Sequence, residues 1–175
     1  MRVFFQDEAR FGLHLPCRRR LTARGVAPKQ LAAPIYESYW LYGAVEPATG
    51  ESHFWEMGSL DGEGFSLFLA KLSIAFADTL NVVVIDGAGA HTGGRVVVPP
   101  NVVLMRLPPY CPELNPIERL WQAVRSRIDV NDALVRTDLV VLQAHVWSII
   151  ESLGQASLSS LTLYDYIAHA LNALR

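Results

Sequence analysis

Apolar and polar positions alternate along the chain in a readable order of elements. Arg2 to Gln6 (RVFFQ) is a short apolar run that ends at Asp7 and predicts a buried strand. Residues 11–34 are irregular, punctuated by Gly12, Pro16, Gly25, Pro28 and Pro34, with a short hairpin expected around their arginines. Tyr39 to Val45 (YWLYGAV) is aromatic and β-prone, Pro47 to Gly50 is a turn, and Glu51 to Met57 predicts the returning strand of an antiparallel hairpin. A helix over about Gly62 to Asp78 follows from the spacing of Phe65, Phe68, Leu69, Leu72 and Phe76, with Asp61 as N-cap. Val82 to Ile85 and Val102 to Met105 are fully apolar runs of the kind found in strands covered on both faces. The next helix starts at Asn115-Pro116, where Asn suits the N-cap and Pro the first turn. Its stripe is Ile117, Leu120, Trp121, Val124 and Ile128. Two further apolar helices are expected over Asp138–Leu153 and Ser160–Leu174. Strand, hairpin, helix, strand, strand, helix describes a mixed α/β sheet with an antiparallel portion at one side.

Composition narrows the class. The 175 residues are 51% apolar, enough for one compact domain and too many apolar positions for a disordered chain. No run of about 18 apolar residues occurs, and no charged stretch leads into a long apolar one. Neither a membrane span nor a signal peptide is therefore expected, and a cytoplasmic location is. Cys17 and Cys111 stand far apart without a CxxC pair, which fits a reducing compartment and no zinc site.

A formal charge of −2 argues at first against a nucleic-acid binder. The distribution changes that picture. Residues 1–36 hold seven basic and two acidic groups, and residues 37–78 hold one basic and seven acidic. Basic groups gather at Arg18, Arg19, Arg20, Arg24 and Lys29, and again at Arg119, Arg125, Arg127 and Arg136. Screening over about 8–10 Å lets such clusters act locally on a polyanion. A solvated loop face is the plain alternative for the first cluster.

Three carboxylates stand where packing does not ask for them. Asp7 follows the first apolar run, Asp86 follows Val82–Ile85, and Glu118 lies in the first turn of the Asn115 helix. A charge beside a buried run is costly unless it is paired, and neighbouring carboxylates repel unless a cation lies between them. Oxygen ligands without Cys or His point to a hard cation, Mg²⁺ or Mn²⁺. Spacing alone leaves alternatives: Asp86 as a turn residue before Gly87, Asp7 paired with Arg10, and Glu118 as the distal half of a capping box with Asn115.

The words around these acids are more specific. Leu107 to Trp121 reads LPPYCPELNPIERLW and closely resembles the signature around the third acid of DDE transposases in the mariner-related bacterial insertion-sequence family. Cys111 stands where that pattern has Ser. Val83 to His91 (VVIDGAGAH) resembles the second-aspartate motif, with Gly87 for the usual Asn, and Phe5 to Gly12 (FQDEARFG) resembles the first. Residues 18–28 resemble the basic segment that commonly follows. The likeness runs from Val3 to about Val130.

The resemblance implies a ribonuclease H-like fold: a five-stranded mixed sheet flanked by helices, with the first and fourth strands adjacent. A catalytic domain over 1–135 and a C-terminal helical extension over 136–175 are expected. Asp7, Asp86 and Glu118 become the implied catalytic and metal-binding triad, holding two Mg²⁺ or Mn²⁺ ions about 3.5–4 Å apart. The last two are 32 residues apart, slightly short of the common spacing. The implied activity is phosphodiester hydrolysis and transesterification: cleavage at transposon ends, then joining of the freed 3′-OH to target DNA. His91 is a secondary candidate for orienting a phosphate or water. Arg119 and Arg125 are candidates for phosphate contact beside the 18–29 cluster. Glu8 is expected on the opposite strand face, and Tyr110 and Trp121 as packing groups.

DNA is the expected partner, with a homodimer and a separate helix-turn-helix subunit or reading frame as further ones, because no helix-turn-helix precedes Asp7. DNA contact through phosphates alone is expected to be weak and salt-dependent. Two alternatives stand beside the transposase. One is a non-cleaving remnant that binds a full-length transposase through its C-terminal helices, although packing of those helices on the sheet is the expected use. The other is a ribonuclease H-like nuclease that does not join strands.

Overall fold

The computed structural model describes residues 1–13, 23–26, 35–87, 96–109, 111–129 and 132–173. Strands β1 (Arg2–Gly12), β2 (Ser38–Val45), β3 (Ser52–Met57), β4 (Asn81–Ile85) and β5 (Val102–Arg106) form one sheet in the order β3-β2-β1-β4-β5. β1–β2 and β2–β3 are antiparallel, while β1–β4 and β4–β5 are parallel. This is the mixed sheet expected from the apolar runs, with the hairpin on one side.

One boundary differs in a way that matters. β1 does not end before Asp7 but continues to Gly12, because β2 pairs with it from Phe5↔Val45 to Gly12↔Ser38. A continuous antiparallel partner outweighs the poor strand propensity of aspartate. On its other side β1 pairs with β4 only from Arg2 to Phe5.

The sheet is covered on both faces. Phe4, Tyr42, Ala44, Val83 and Ile85 pack against Phe65, Phe68, Leu69 and Leu72 of α1 (Gly62–Ala75). Asp61 caps this helix by accepting from Gly64 N at 2.7 Å. On the opposite face Ala9, Phe11, Leu41 and Val45 meet α2 (Ile117–Arg127), α3 (Ala133–Thr137) and α4 (Leu139–Thr162). Val3, Phe5 and Val84 meet Ile167 of α5 (Asp165–Ala173).

The C-terminal helices depart from expectation. α3 is a short helix that the apolar periodicity does not predict. The helical backbone expected over Asp138–Leu153 does break after Leu153, at the non-helical Gly154 (φ 62°, ψ 165°), but a second helical stretch continues α4 to Thr162, and the last helix begins at Asp165 rather than Ser160. A single glycine at positive φ separates the two helical stretches and redirects the chain between them. Leu142, Val146, Ile149, Ile150, Leu153 and Leu158 of α4 all lie in the core shared with α2 and the sheet. Their apolar face is therefore used inside the domain. Among the described residues no helix is long and apolar enough to cross a membrane.

The bend meets the β2–β3 turn. Gly50 (φ 75°) lies so close to α4 that a Cβ there would fall 1.8 Å from the Gln155 carbonyl oxygen, and Ser159 Oγ donates to the Pro47 carbonyl at 2.7 Å. Gly50→Ala is expected to destabilise the domain by about 2–4 kcal/mol, since positive φ and a backbone collision act together. Chemical denaturation checks this; an unchanged midpoint would contradict the close approach.

Candidate active site

The register of β1 and β4 brings two of the three acids to one place. Phe5 pairs with Val84, and continuing that parallel register puts Asp7 level with Asp86, one residue beyond the end of β4. Side-chain alternation carries both to the α2–α5 face, where Phe5 and Val84 already pack. Past Phe5 the β4 side of β1 has no further ladder partner, and Asn115 Nδ2 donates to the Gln6 carbonyl there at 3.0 Å. The chain entering α2 is thereby fastened to the residue before Asp7.

This contact corrects the expected helix start. α2 begins at Ile117, the cap position is Pro116, and no side chain caps the helix. The Asn115 NH₂ donates to β1 and its Oδ1 accepts no helix N–H, so the Asn115–Glu118 capping box is not formed. Asp7 also does not pair with Arg10, whose Nε donates to Ser38 Oγ at 2.9 Å.

A second tie joins β1 to α2. Trp121 Nε1 donates to Asp7 Oδ2 at 3.0 Å. The indole reaches the sheet because Gly43, the β2 residue opposite Asp7, has no side chain; a Cβ on Gly43 would lie 2.7 Å from the Trp121 ring and 2.9 Å from Phe54. Trp121 does pack in the core, as expected, but its polar edge holds the first carboxylate. The sequence carried one signal of this, a lone glycine inside a strand, which marks a bulge or a close approach.

Asp7 is electrostatically stressed. Burial, then the charges of Glu118, Glu8 and Asp86, push its carboxyl up to about 7, against a smaller opposing backbone hydrogen bond at Glu8. Glu8 lies on the other strand face, where its Oε1 accepts from Gln6 Nε2 at 2.9 Å. The donor chemistry at Asp7, Asp86 and Glu118 fits a hard cation, which would relieve the repulsion on Asp7. Among the described residues, however, no three His, Cys, Asp or Glu side chains converge closely enough to form a ligand cluster.

The remaining candidates scatter. His91, Arg18, Arg19, Arg20, Lys29 and Tyr110 lie outside the described residues, as does the hairpin expected around the arginines. Arg24 is exposed in a turn closed by Val26 N donating to the Ala23 carbonyl. The Arg119 guanidinium lies 4.4 Å from the Tyr164 ring centroid, and Arg125 lies 5.5 Å from that of Phe11. Arg119 lines a groove with Glu118, Gln122 and Tyr166 that sequence reasoning missed.

The sheet order, the helices on both faces and the paired carboxylates at the β1–β4 junction define a ribonuclease H-like domain. The family described as DDE superfamily endonuclease matches residues 2–138, and the chain belongs to it. An uncharacterized protein of Sinorhizobium fredii, y4pE/y4sA, is 37% identical over 88 residues, covering 50% of this chain and 65% of that protein. Among solved structures, the Mos1 strand transfer complex matches with a TM-score of 0.57 at 17% identity, over 93% of this chain and 55% of that one. A pre-cleavage Mos1 transpososome (TM-score 0.57, 14% identity) and the Mos1 mariner paired end complex with Mn (0.55, 16%) match over the same 93% of this chain and 56% of theirs. At such identities the likeness is one of fold. The chain spans just over half the length of these transposase chains.

Proposed function

We propose that this domain cleaves DNA strands in a divalent-cation-dependent reaction and transfers the freed 3′ end to a target, with Asp7, Asp86 and Glu118 as the ion-holding carboxylates. The observation that carries this is the stressed Asp7, level with Asp86 and under the charge of Glu118. Bound there, Mg²⁺ or Mn²⁺, two ions in the full site, would supply Lewis-acid charge at the attacking and leaving oxygens of a phosphodiester. The chain's own part is positional. Trp121 orients Asp7, Asn115 fastens the start of α2 beside it, and α2 presents Glu118 one turn later. Only the nucleophile, water or a 3′-OH, distinguishes cleavage from joining. The catalytic unit is assigned to 1–135 and the helical extension to 136–175. His91 is retained as a phosphate- or water-orienting candidate. Arg18, Arg19, Arg20, Arg24, Lys29, Arg119 and Arg125 are the proposed DNA contacts, and a second copy or a separate helix-turn-helix subunit is a proposed partner at paired ends.

Nicking of supercoiled plasmid with and without Mg²⁺ tests this. Asp86→Asn is expected to reduce nicking to the metal-free background with the melting temperature kept; nicking that survives Asp7→Ala, Asp86→Ala and Glu118→Ala would refute the assignment.

A second function has one observation in its favour: the lack of a three-ligand cluster among the described residues. On it the domain pairs with a full-length transposase and cleaves nothing. Co-purification with a DDE transposase from the same cell, without nicking at any Mg²⁺ or Mn²⁺ concentration, is its expected signature. Nicking without strand transfer from pre-cleaved ends would instead identify a simple nuclease.

A further inference from the structure

Beside Glu118 a groove of about 920 Å³ opens between the first turns of α2 and the Leu163–Tyr166 segment that leads into α5. Its volume falls within the about 300–1,000 Å³ of small-ligand clefts, too little for a duplex and enough for a nucleotide. The walls are chemically divided. On the α5 side Tyr164 and Tyr166 stack with centroids 5.4 Å apart and planes 30° apart, and the Arg119 guanidinium lies over Tyr164. Tyr166 is held by its hydroxyl, which donates to the Glu113 carbonyl at 3.1 Å, while 46% of the residue stays exposed. A planar aromatic surface kept in place yet left open to water is the form of a stacking platform.

The α2 side carries two amides, Asn115 and Gln122. The Gln6 carbonyl can only accept, so Asn115 must turn its NH₂ toward it and keep Oδ1 over. That oxygen is buried and has no protein partner. It is closed off from solvent, so the exposed Gln122 amide is the group that matches the donor and acceptor edges of a base. Charge decides between possible occupants. Glu113, Glu118 and Asp165 face the single cation Arg119, which disfavours a free phosphate and leaves a neutral planar group acceptable.

We propose that this groove takes an unpaired nucleobase of the DNA strand at the active site, stacked on Tyr166 beside Glu118; it rests on the DNA-cleaving function above. The probe is a short fluorescent single-stranded oligonucleotide, with an abasic strand of equal length as control. Binding is measured by anisotropy in EDTA, so that cleavage plays no part. Tyr166→Ala is expected to weaken binding of the base-bearing strand by about 5–100-fold, and Tyr166→Phe by less than about twofold. All three proteins are expected to bind the abasic strand equally. Equal affinity of Tyr166→Ala and wild type for the base-bearing strand overturns the proposal, as does an equal loss on both strands. Should Tyr166→Ala fail to fold, Gln122→Ala on the exposed face of α2 carries the test, with an expected loss of about threefold or more confined to the base-bearing strand; no such loss overturns the proposal. Base-dependent binding without any nicking by the wild type would overturn the nuclease function and keep the groove. Nicking with base-indifferent binding would do the reverse.

Discussion

Asp7→Asn is expected to stabilise the metal-free domain while removing its Mg²⁺-dependent action on DNA. The folded carboxyl has its pKa near 7, above the ordinary 3.8, through burial and the neighbouring acids. Folding therefore takes up a proton between those values. The stability tied to this group is fully present below about pH 4 and is lost as pH rises through about 7. At pH 8 the wild type carries the whole penalty and the asparagine variant carries none, while the amide oxygen can still accept from Trp121. The expected gain is about 2–4 kcal/mol at pH 8, roughly 5–15 °C in melting temperature, shrinking toward zero near pH 4. Adding Mg²⁺ should raise the wild-type melting temperature more at pH 8 than at pH 5, because protons compete for the same oxygens, and should leave the variant unmoved. Thermal melts at several pH values check all of this. A variant less stable than wild type at pH 8 would show that Asp7 is not under the repulsion described. Gaining stability while losing chemistry is the mark of a group placed for function at a structural cost.

Gly43→Ala acts on the same point from the other side of the strand pair. The added methyl would meet the Trp121 ring at 2.7 Å and Phe54 at 2.9 Å, and the Trp121 ring is buried with Phe11 and Phe54 against it. Overpacking alone costs about 1–3 kcal/mol, and a displaced indole also gives up its hydrogen bond to a carboxylate, about 1.5–3 kcal/mol. A fall of about 10 °C in melting temperature is expected, with loss of nicking. Trp121→Phe separates the two effects, since it keeps the ring packing and removes only the N–H. The double variant should be less harmful than the sum of the single ones, because both remove the same bond. Strict additivity would mean that Gly43 serves packing without bearing on Asp7.

Much of this was legible along the chain. The apolar runs Val82–Ile85 and Val102–Met105 became β4 and β5, the hairpin strands became β2 and β3, and the stripe Ile117, Leu120, Trp121 and Val124 became the buried face of α2. Those elements are set by local periodicity, which a linear sequence displays directly. The motif strings around Asp7, Asp86 and Glu118 named the family, and the match over residues 2–138 agrees.

What stayed hidden depends on residues distant in sequence. The full length of β1 is not visible locally because its distal half is held by β2, more than 25 residues away, and no window around Asp7 contains that partner. The Asn115 amide suits a helix cap by its local sequence, yet its NH₂ is tied to the Gln6 carbonyl of β1, which holds the side chain away from the helix N–H groups that its oxygen would have to accept from. Trp121 was read from its stripe as core, while its N–H and the vacancy at Gly43 meet only across the sheet. The aromatic groove arises where α5 comes back past α2. Sequence alone thus established which segments are strands and helices and which acids are candidates, because burial periodicity and motif words are local. Folding in three dimensions settled how Asp7 is held and what lies beside Glu118, because hydrogen bonds and steric gaps form between whichever groups the packed sheet and helices bring within reach.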